Sequence, residues 1–344
     1  MPAPRVAHFE VLESLGVGAV GSVYRARDTQ SGTFVAVKLL HDNPKDMVDV
    51  QRRFIREVAV LQQLDHPNIV RYHDCGIYDG RFYLAMEHID CGTLKDVLHG
   101  KRSLAWRDAV DVAIQICAAL EGAHAGGVIH RDLKPANLFL SGEGLVKVGD
   151  FGLARAENLS RLTDSGTTVG TCRYMPPEQI TGEEVLTGAV DLYALGCVMF
   201  EMLVGRAPFD GSSLVMVFEK HMFAEPENPA DLITGCPADL GKVILRLLAK
   251  EPSGRPSSAG VVKKWLEQIA AGEPVDWETA ARAKPIPPVP AMQLPTSVDG
   301  PTQNLTERLY GRFELEQAGP DWKLILLGLV LLLIAIAAAI WFKQ

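Results

Sequence analysis

The run His130-Arg131-Asp132-Leu133-Lys134-Pro135-Ala136-Asn137, followed thirteen positions after Asn137 by Asp150-Phe151-Gly152, constrains this chain more than any other feature. The first piece sets an acid, a lysine and an amide within a few residues of one another. The second adds another carboxylate. Two oxygen ligands of the kind that hold a hard cation, an acid and a point positive charge together suit chemistry on a phosphoryl group. A chain that uses them must fold so that both pieces line one cleft. Their order carries information too, because a glycine-rich stretch and a lysine at the end of an apolar run precede them.

Gly16-Val17-Gly18-Ala19-Val20-Gly21 lies between two strand-like runs. Alone, this spacing also suits a tight hairpin turn, and a dinucleotide-binding reading would need a helix directly after it. Ser22-Val23-Tyr24-Arg25 instead reads as strand. Glycines at such a hairpin let backbone approach phosphates closely. Val35-Ala36-Val37-Lys38 places a lysine at the end of an apolar strand. A cation that holds phosphates needs a carboxylate to hold it, and Glu57, on the next helical pattern, is the natural partner. Arg52, Arg53 and Arg56 read as solvated charges.

The surrounding pattern predicts two lobes. Residues 11–15, 22–27, 33–40 and 82–86 carry β-branched and aromatic residues between turn signals, which predicts strands. Phe54, Val58 and Leu61 recur at helical spacing and predict a helix over 46–64, stopped by His66-Pro67-Asn68. Beyond about Gly92 helical periodicity dominates, most clearly over 104–122 and 190–204. At 344 residues with 47% apolar and 22% charged residues, the chain has material for such a body. A net charge of -8 argues against a general nucleic-acid binder. Six scattered cysteines, with no C-x-x-C pair, read as reduced thiols and not as a disulfide framework or zinc site.

In order, the glycine loop, Val35-Ala36-Val37-Lys38, Glu57, His66-Pro67-Asn68-Ile69-Val70, the 130–137 run, Asp150-Phe151-Gly152, Pro176-Pro177-Glu178, Asp191 and Arg255 resemble the Hanks-type Ser/Thr protein kinases. The resemblance is strongest to the eukaryotic-like, membrane-anchored kinases of bacteria. It covers about residues 9–271 and implies an α+β, bilobal fold with a β-rich N-lobe and a helical C-lobe. It implies ATP and Mg2+ (or Mn2+) as the nucleotide and metal, and protein substrates as partners. By the same resemblance, Asp132 orients or accepts the substrate hydroxyl proton and Lys134 stabilises the transferring phosphoryl. Asn137 and Asp150 hold the metal ions, and Lys38 with Glu57 completes the catalytic set. Leu15, Gly16, Gly18, Gly21, Val23, Ala36, Lys38, Met86, Glu87, Ile89 and Phe139 are implied to line the ATP site, with Met86 as gatekeeper and Glu87 and Ile89 as hinge.

Between Asp150 and Glu178, Thr163, Ser165, Thr167 and Thr168 form a hydroxyl cluster that reads either as a solvated loop or as an autophosphorylation site, with Arg131 available to pair with the added dianion. Thr171 resembles the residue of the substrate loop that contacts Asp132 and Lys134. Where the family usually has Ala-Pro-Glu, this chain has Pro176-Pro177-Glu178; Glu178 is retained and is expected to pair with Arg255. Cys172, in the same loop, reads as an exposed thiol that is either a redox sensor or inert, and the inert reading is favoured because nothing in the sequence shows a depressed pKa. The resemblance places Asp191 as the buried anchor of the catalytic loop. Because none of Lys38, Glu57, Asp132, Asn137 and Asp150 is missing, an active enzyme is favoured over an ATP-binding scaffold. Lys134, Thr171 and the Pro-Pro-Glu segment favour peptide over small-molecule acceptors.

The C-terminal end has another character. Residues 272–322 cluster prolines at 285, 287, 288, 290, 295 and 301, which bars a continuous helix or central strand and predicts an extended tether of roughly 40 Å reach. The Pro285–Pro290 stretch also matches a polyproline ligand, but a spacer is the simpler reading. Within a span placed at 323–342, the nineteen residues from Leu324 to Phe342 hold no charge and no proline. At 1.5 Å per residue they reach roughly 28 Å, enough to cross a bilayer. Trp322 and Trp341 bracket the run, and Arg308, Arg312 and Lys323 precede it against Lys343 after it. This predicts a single-pass span with the N-terminal side, and so the kinase domain, in the cytoplasm. The resemblance implies that the membrane is the cell (inner) membrane, while the residues alone also suit a eukaryotic tail-anchored protein. Ala335 and Ala339 have the small-x-x-x-small spacing of helix pairing, so a homodimer stands beside plain lipid-facing filler. No apolar leader is seen at the N-terminus.

Overall fold

A computed structural model describes residues 4–18, 21–41, 55, 57–151 and 172–277. It opens with β1 (Arg5–Val6), β2 (Phe9–Val17), β3 (Gly21–Asp28), β4 (Phe34–Leu40), β5 (Tyr72–Tyr78) and β6 (Arg81–Glu87). These form one antiparallel sheet in the order β1-β2-β3-β4-β6-β5. Side chains alternate across a strand, and β4 shows what this achieves. Val35, Val37 and Leu39 enter a core with Phe9, Ala26, Tyr83 and Ala85, while Ala36 and Lys38 take the opposite parity. One strand therefore builds the lobe and delivers a lysine to its other face.

The predicted strands are present, each within two residues of its expected limits. Of the helix predicted over 46–64, residues 55 and 57–62 are helical and several of the others lie outside the described residues. β5 has no counterpart in the sequence reading. Its run Tyr-His-Asp-Cys-Gly-Ile-Tyr has a glycine and no clean alternation, and pairing with β6 supplies what propensity does not.

The second lobe begins with α1 (Leu94–Lys101) and α2 (Trp106–Ala125). A 3-10 turn (Pro135–Asn137) then leads into a hairpin of β7 (Leu138–Leu140) and β8 (Val146–Val148). After residue 171 come α3 (Pro177–Ile180), α4 (Ala189–Val204), α5 (Leu214–Phe223), α6 (Pro229–Leu232), α7 (Ala238–Leu247) and α8 (Ala259–Ala271). The helix expected at 104–122 starts at Trp106, because Ala105 has non-helical backbone (ψ 145°), and it runs on to Ala125. α4 is buried almost all round, which explains its lack of a polar face. α8 and α4 both pack on α2.

The two lobes are tied by Asn68. Its side-chain amide donates to Gln115 Oε1 on α2 (3.0 Å) and to the Val146 carbonyl (2.9 Å), while its carbonyl accepts from Val148 N (2.8 Å). No helix among the described residues is long and apolar enough to cross a membrane. The predicted linker beyond residue 277 and the predicted span lie outside the described residues.

Candidate active site

The 3-10 turn after Lys134 folds Asn137 back over Asp132. Asn137 Nδ2 donates to the Asp132 carbonyl (2.8 Å) and lies 3.4 Å from Asp132 Oδ2, which also accepts from Lys134 Nζ (2.8 Å). An acid, a cation and an amide thus meet in one partly buried cluster. The β7–β8 hairpin brings the second piece alongside, since Gly149 N donates to the Asn137 carbonyl (3.0 Å). Asp150 follows directly and accepts from Lys38 Nζ at 2.7 Å. The β4 lysine and the carboxylate two residues past β8 so close the cleft between the lobes.

Glu57, which the sequence assigns to Lys38, is half-buried within the helical residues 57–62. Among the described residues, Lys38 forms an ion pair with Asp150.

Among the described cleft residues, Arg131 and Asp150 have left-handed backbone, at φ 63° and 56°. Non-glycine residues rarely take this conformation, and where they do, surrounding contacts hold them there. Buried Asp191, in the first turn of α4, accepts from His130 N (2.9 Å), Arg131 N (2.8 Å) and His124 Nε2 (2.8 Å). Burial works to raise its pKa, but the bond and charge of His124, with the further contribution of His130, hold the carboxyl below its ordinary value. The His130 ring is buried and joins the two motifs. Its Nδ1 accepts from Asp132 N (3.2 Å), so Nε2 carries the proton and donates to the Gly149 carbonyl (2.9 Å). Phe151 packs on this ring at 4.7 Å between centroids. The Tyr72 hydroxyl is buried beside Asp150 and Phe151; burial first, and the Asp150 charge second, push its pKa up.

The expected nucleotide-site residues fall along the first lobe and the hairpin below it. Ala36 and Met86 are register partners on β4 and β6, and both are buried. Val23 pairs with Lys38 across β3–β4, and Phe139 lies on β7 against Gly149. Ile89 is half-buried just past β6, and Leu15 on β2 is exposed. Glu87 N donates to the Arg71 carbonyl (2.8 Å) at the end of β6. Its carboxylate pairs with Lys147 at 2.8 Å. In the hairpin, Gly21 approaches β4 so closely that a Cβ would lie 2.5 Å from the Leu39 carbonyl oxygen, whereas Gly16 has open space around it. The first glycine therefore leaves room for a ligand and the last is needed for packing.

The donor set suits a hard cation. Asn137 spends its amide nitrogen on Asp132, so its oxygen remains for a metal, with the Asp150 carboxylate close by. Mg2+ takes few protein oxygens and completes its shell with water and phosphate. Thr163, Ser165, Thr167, Thr168 and Thr171 lie outside the described residues.

Beyond them, Cys172 is buried with Met175 against Val217 of α5, which corrects its expected exposure. Arg255 and Glu178 form a bidentate pair at 2.6 and 2.9 Å. The remaining Arg255 donors reach the carbonyls of Ala189, Ala249 and Lys250, each at 2.9 Å, so all five are used. Gln179, His124 and Lys147 escaped sequence reasoning because each acts on a residue far away in the chain.

The fold is two-lobed: a sheet with a glycine hairpin and a lysine above, and a loop with a metal-type carboxylate below. The protein kinase domain family matches residues 9–266, and the chain belongs to that family. Serine/threonine-protein kinase PknB of Mycobacterium tuberculosis is 37% identical over 272 residues, covering 77% of this chain and 43% of that protein. A probable serine/threonine-protein kinase of Clostridium perfringens is 36% identical over 261 residues (76% and 38%). One of Streptomyces coelicolor is 38% identical over 273 residues (78% and 40%). The chain spans about two fifths of the length of these curated relatives.

Proposed function

We propose that this chain is an ATP-dependent Ser/Thr protein kinase tethered to a membrane by its C-terminus. The observation that carries the reading is the convergence of Asp132, Lys134, Asn137, Lys38 and Asp150 on one cleft. In this reading Asp132 orients the acceptor hydroxyl and takes its proton as the new P–O bond forms. Lys134, 2.8 Å from that carboxylate, offsets charge on the phosphoryl group. Lys38 holds the α- and β-phosphates, with Glu57 as its further support. Asn137 and Asp150 would hold magnesium, which when bound would offset the charge that develops on the phosphoryl group. Ala36, Val23, Met86 and Phe139 form the apolar slot for adenine. Leu15, Gly16, Gly18 and Gly21 cover the phosphates, and the Glu87 carbonyl and Ile89 amide meet the base edge.

The relatives are named serine/threonine-protein kinases, which supports hydroxyl acceptors on protein. The hydroxyl cluster at 163–168 is the proposed autophosphorylation site, with the substrate loop at Thr171. The charge-free run from Leu324 to Phe342 supports the tether and single-pass placement in the cell membrane, and pairing through Ala335 and Ala339 would bring two kinase domains together. The test is to incubate the full chain in detergent with Mg-ATP, beside Asp132→Asn and Lys38→Met, and to map phosphate by mass spectrometry. Phosphate on Ser or Thr in the parent alone supports the reading. Its absence from a folded parent that binds ATP overturns it.

A further inference from the structure

We infer that Gln179 is a positioning residue for Asp132, acting through the peptide group that joins Arg131 to Asp132; the idea deepens the kinase reading above and rests on it for its catalytic meaning. That peptide group is held at both ends. Its oxygen, the Arg131 carbonyl, accepts from Gln179 Nε2 at 3.0 Å. Its nitrogen, the Asp132 N–H, donates to His130 Nδ1 at 3.2 Å. The preceding peptide is held by Asp191, which accepts the Arg131 N–H at 2.8 Å. Between the two lies Arg131 at φ 63°, a conformation that a residue with a Cβ leaves unless its neighbours prevent it. Rotation of the 131–132 plane would swing the Asp132 carboxylate away from Lys134 and Asn137, its partners in the cleft.

Gln179 is suited to this task by chemistry and by place. It is 7% exposed, and a buried amide carries a cost unless it is hydrogen-bonded. A carbonyl acceptor needs a donor opposite it, which Gln supplies and an ionised Glu of the same length does not. Gln179 sits in α3 directly after Glu178, whose bidentate bond to Arg255 fixes that turn to the C-lobe. The anchor at the end of the segment that begins at Asp150 therefore reaches the catalytic loop through one side chain.

The experiment compares the full chain in detergent with Gln179→Glu, which keeps shape and loses the donor, and Gln179→Met, which keeps length and apolar packing. Three quantities are read: kcat and KM for ATP with a protein acceptor, affinity for a fluorescent ATP analogue, and amide hydrogen exchange across 128–134 by mass spectrometry. Both variants are expected to lose roughly 100-fold in kcat, the order that a misplacement of about 1 Å costs, with nucleotide affinity within about twofold of the parent. Exchange across 128–134 is expected to quicken at least tenfold, an increase confined to that loop. Parent-like kcat or parent-like exchange in either nucleotide-binding variant overturns the inference, and so does nucleotide affinity that falls in step with kcat. If Gln179→Glu does not fold, Gln179→Met decides alone. A parent that binds nucleotide but transfers no phosphate sinks the kinase reading, and the exchange measurement still decides whether Gln179 holds the loop.

Discussion

Asp132 owes its position partly to groups that do no chemistry. Asp191, His130 and Gln179 hold the backbone that leads into it, while Lys134 and Asn137 hold its side chain. Asp132→Asn keeps the shape and removes the basic carboxylate. It is expected to lower phosphoryl transfer by roughly 100- to 10,000-fold while nucleotide binding persists, as steady-state rates and a fluorescent-nucleotide titration would show. A buried histidine elsewhere sets a pH limit on stability. His221 is sealed in the C-lobe with Nδ1 2.9 Å from the Tyr193 hydroxyl, and burial, then the nearby Lys250 charge, push its pKa from 6.5 down to about 3. In the unfolded chain it takes a proton near pH 6.5, whereas in the folded chain it stays neutral. Its contribution is complete above pH 6.5 and is lost as pH falls towards 3. From pH 7 to 5 the loss is about 2 kcal/mol. Urea unfolding at the two pH values should show it in the parent, and His221→Gln should flatten the dependence.

Packing between turns and helices decides how firmly the substrate side is built. The Glu178–Arg255 pair is fully buried, with every guanidinium donor used. Removing one partner strands a buried charge, so Arg255→Met is expected to destabilise the C-lobe by about 3–5 kcal/mol in denaturant melts. Arg255→Lys should recover only part of that, because an ammonium cannot reproduce the fork that meets Glu178 and three carbonyls. Thiol labelling gives a second check. Cys75, Cys117, Cys172 and Cys197 are buried and Cys91 is exposed. In the native protein a maleimide should modify Cys91 at once and leave those four until denaturant is added. Rapid labelling of Cys172 would show that the loop does not pack on α5 as described.

Taken whole, the chain joins a folded catalytic body to a proline-rich stretch and an apolar run. Deleting 324–344 is expected to move the protein from the membrane to the soluble fraction of a cell lysate, and retention in the membrane would refute the proposed tether. The β-rich lobe was readable from residue order because alternation along a strand is a local property; β4 places Val35, Val37 and Leu39 on one face and Lys38 on the other whatever follows. The clustering of Asp132, Lys134 and Asn137 was readable for a related reason, since the three share one short turn. What lay beyond the sequence was which distant groups meet. Asp191 reaches Arg131 across 60 positions, Gln179 across 48, and Lys38 pairs with Asp150 across 112. Local pattern specifies which side chains a stretch carries and which face they take. The left-handed turn at Arg131, the proton on His130 Nε2 and the choice of Asp150 as the partner of Lys38 are set by hydrogen bonds and charges that only the packed chain brings within reach.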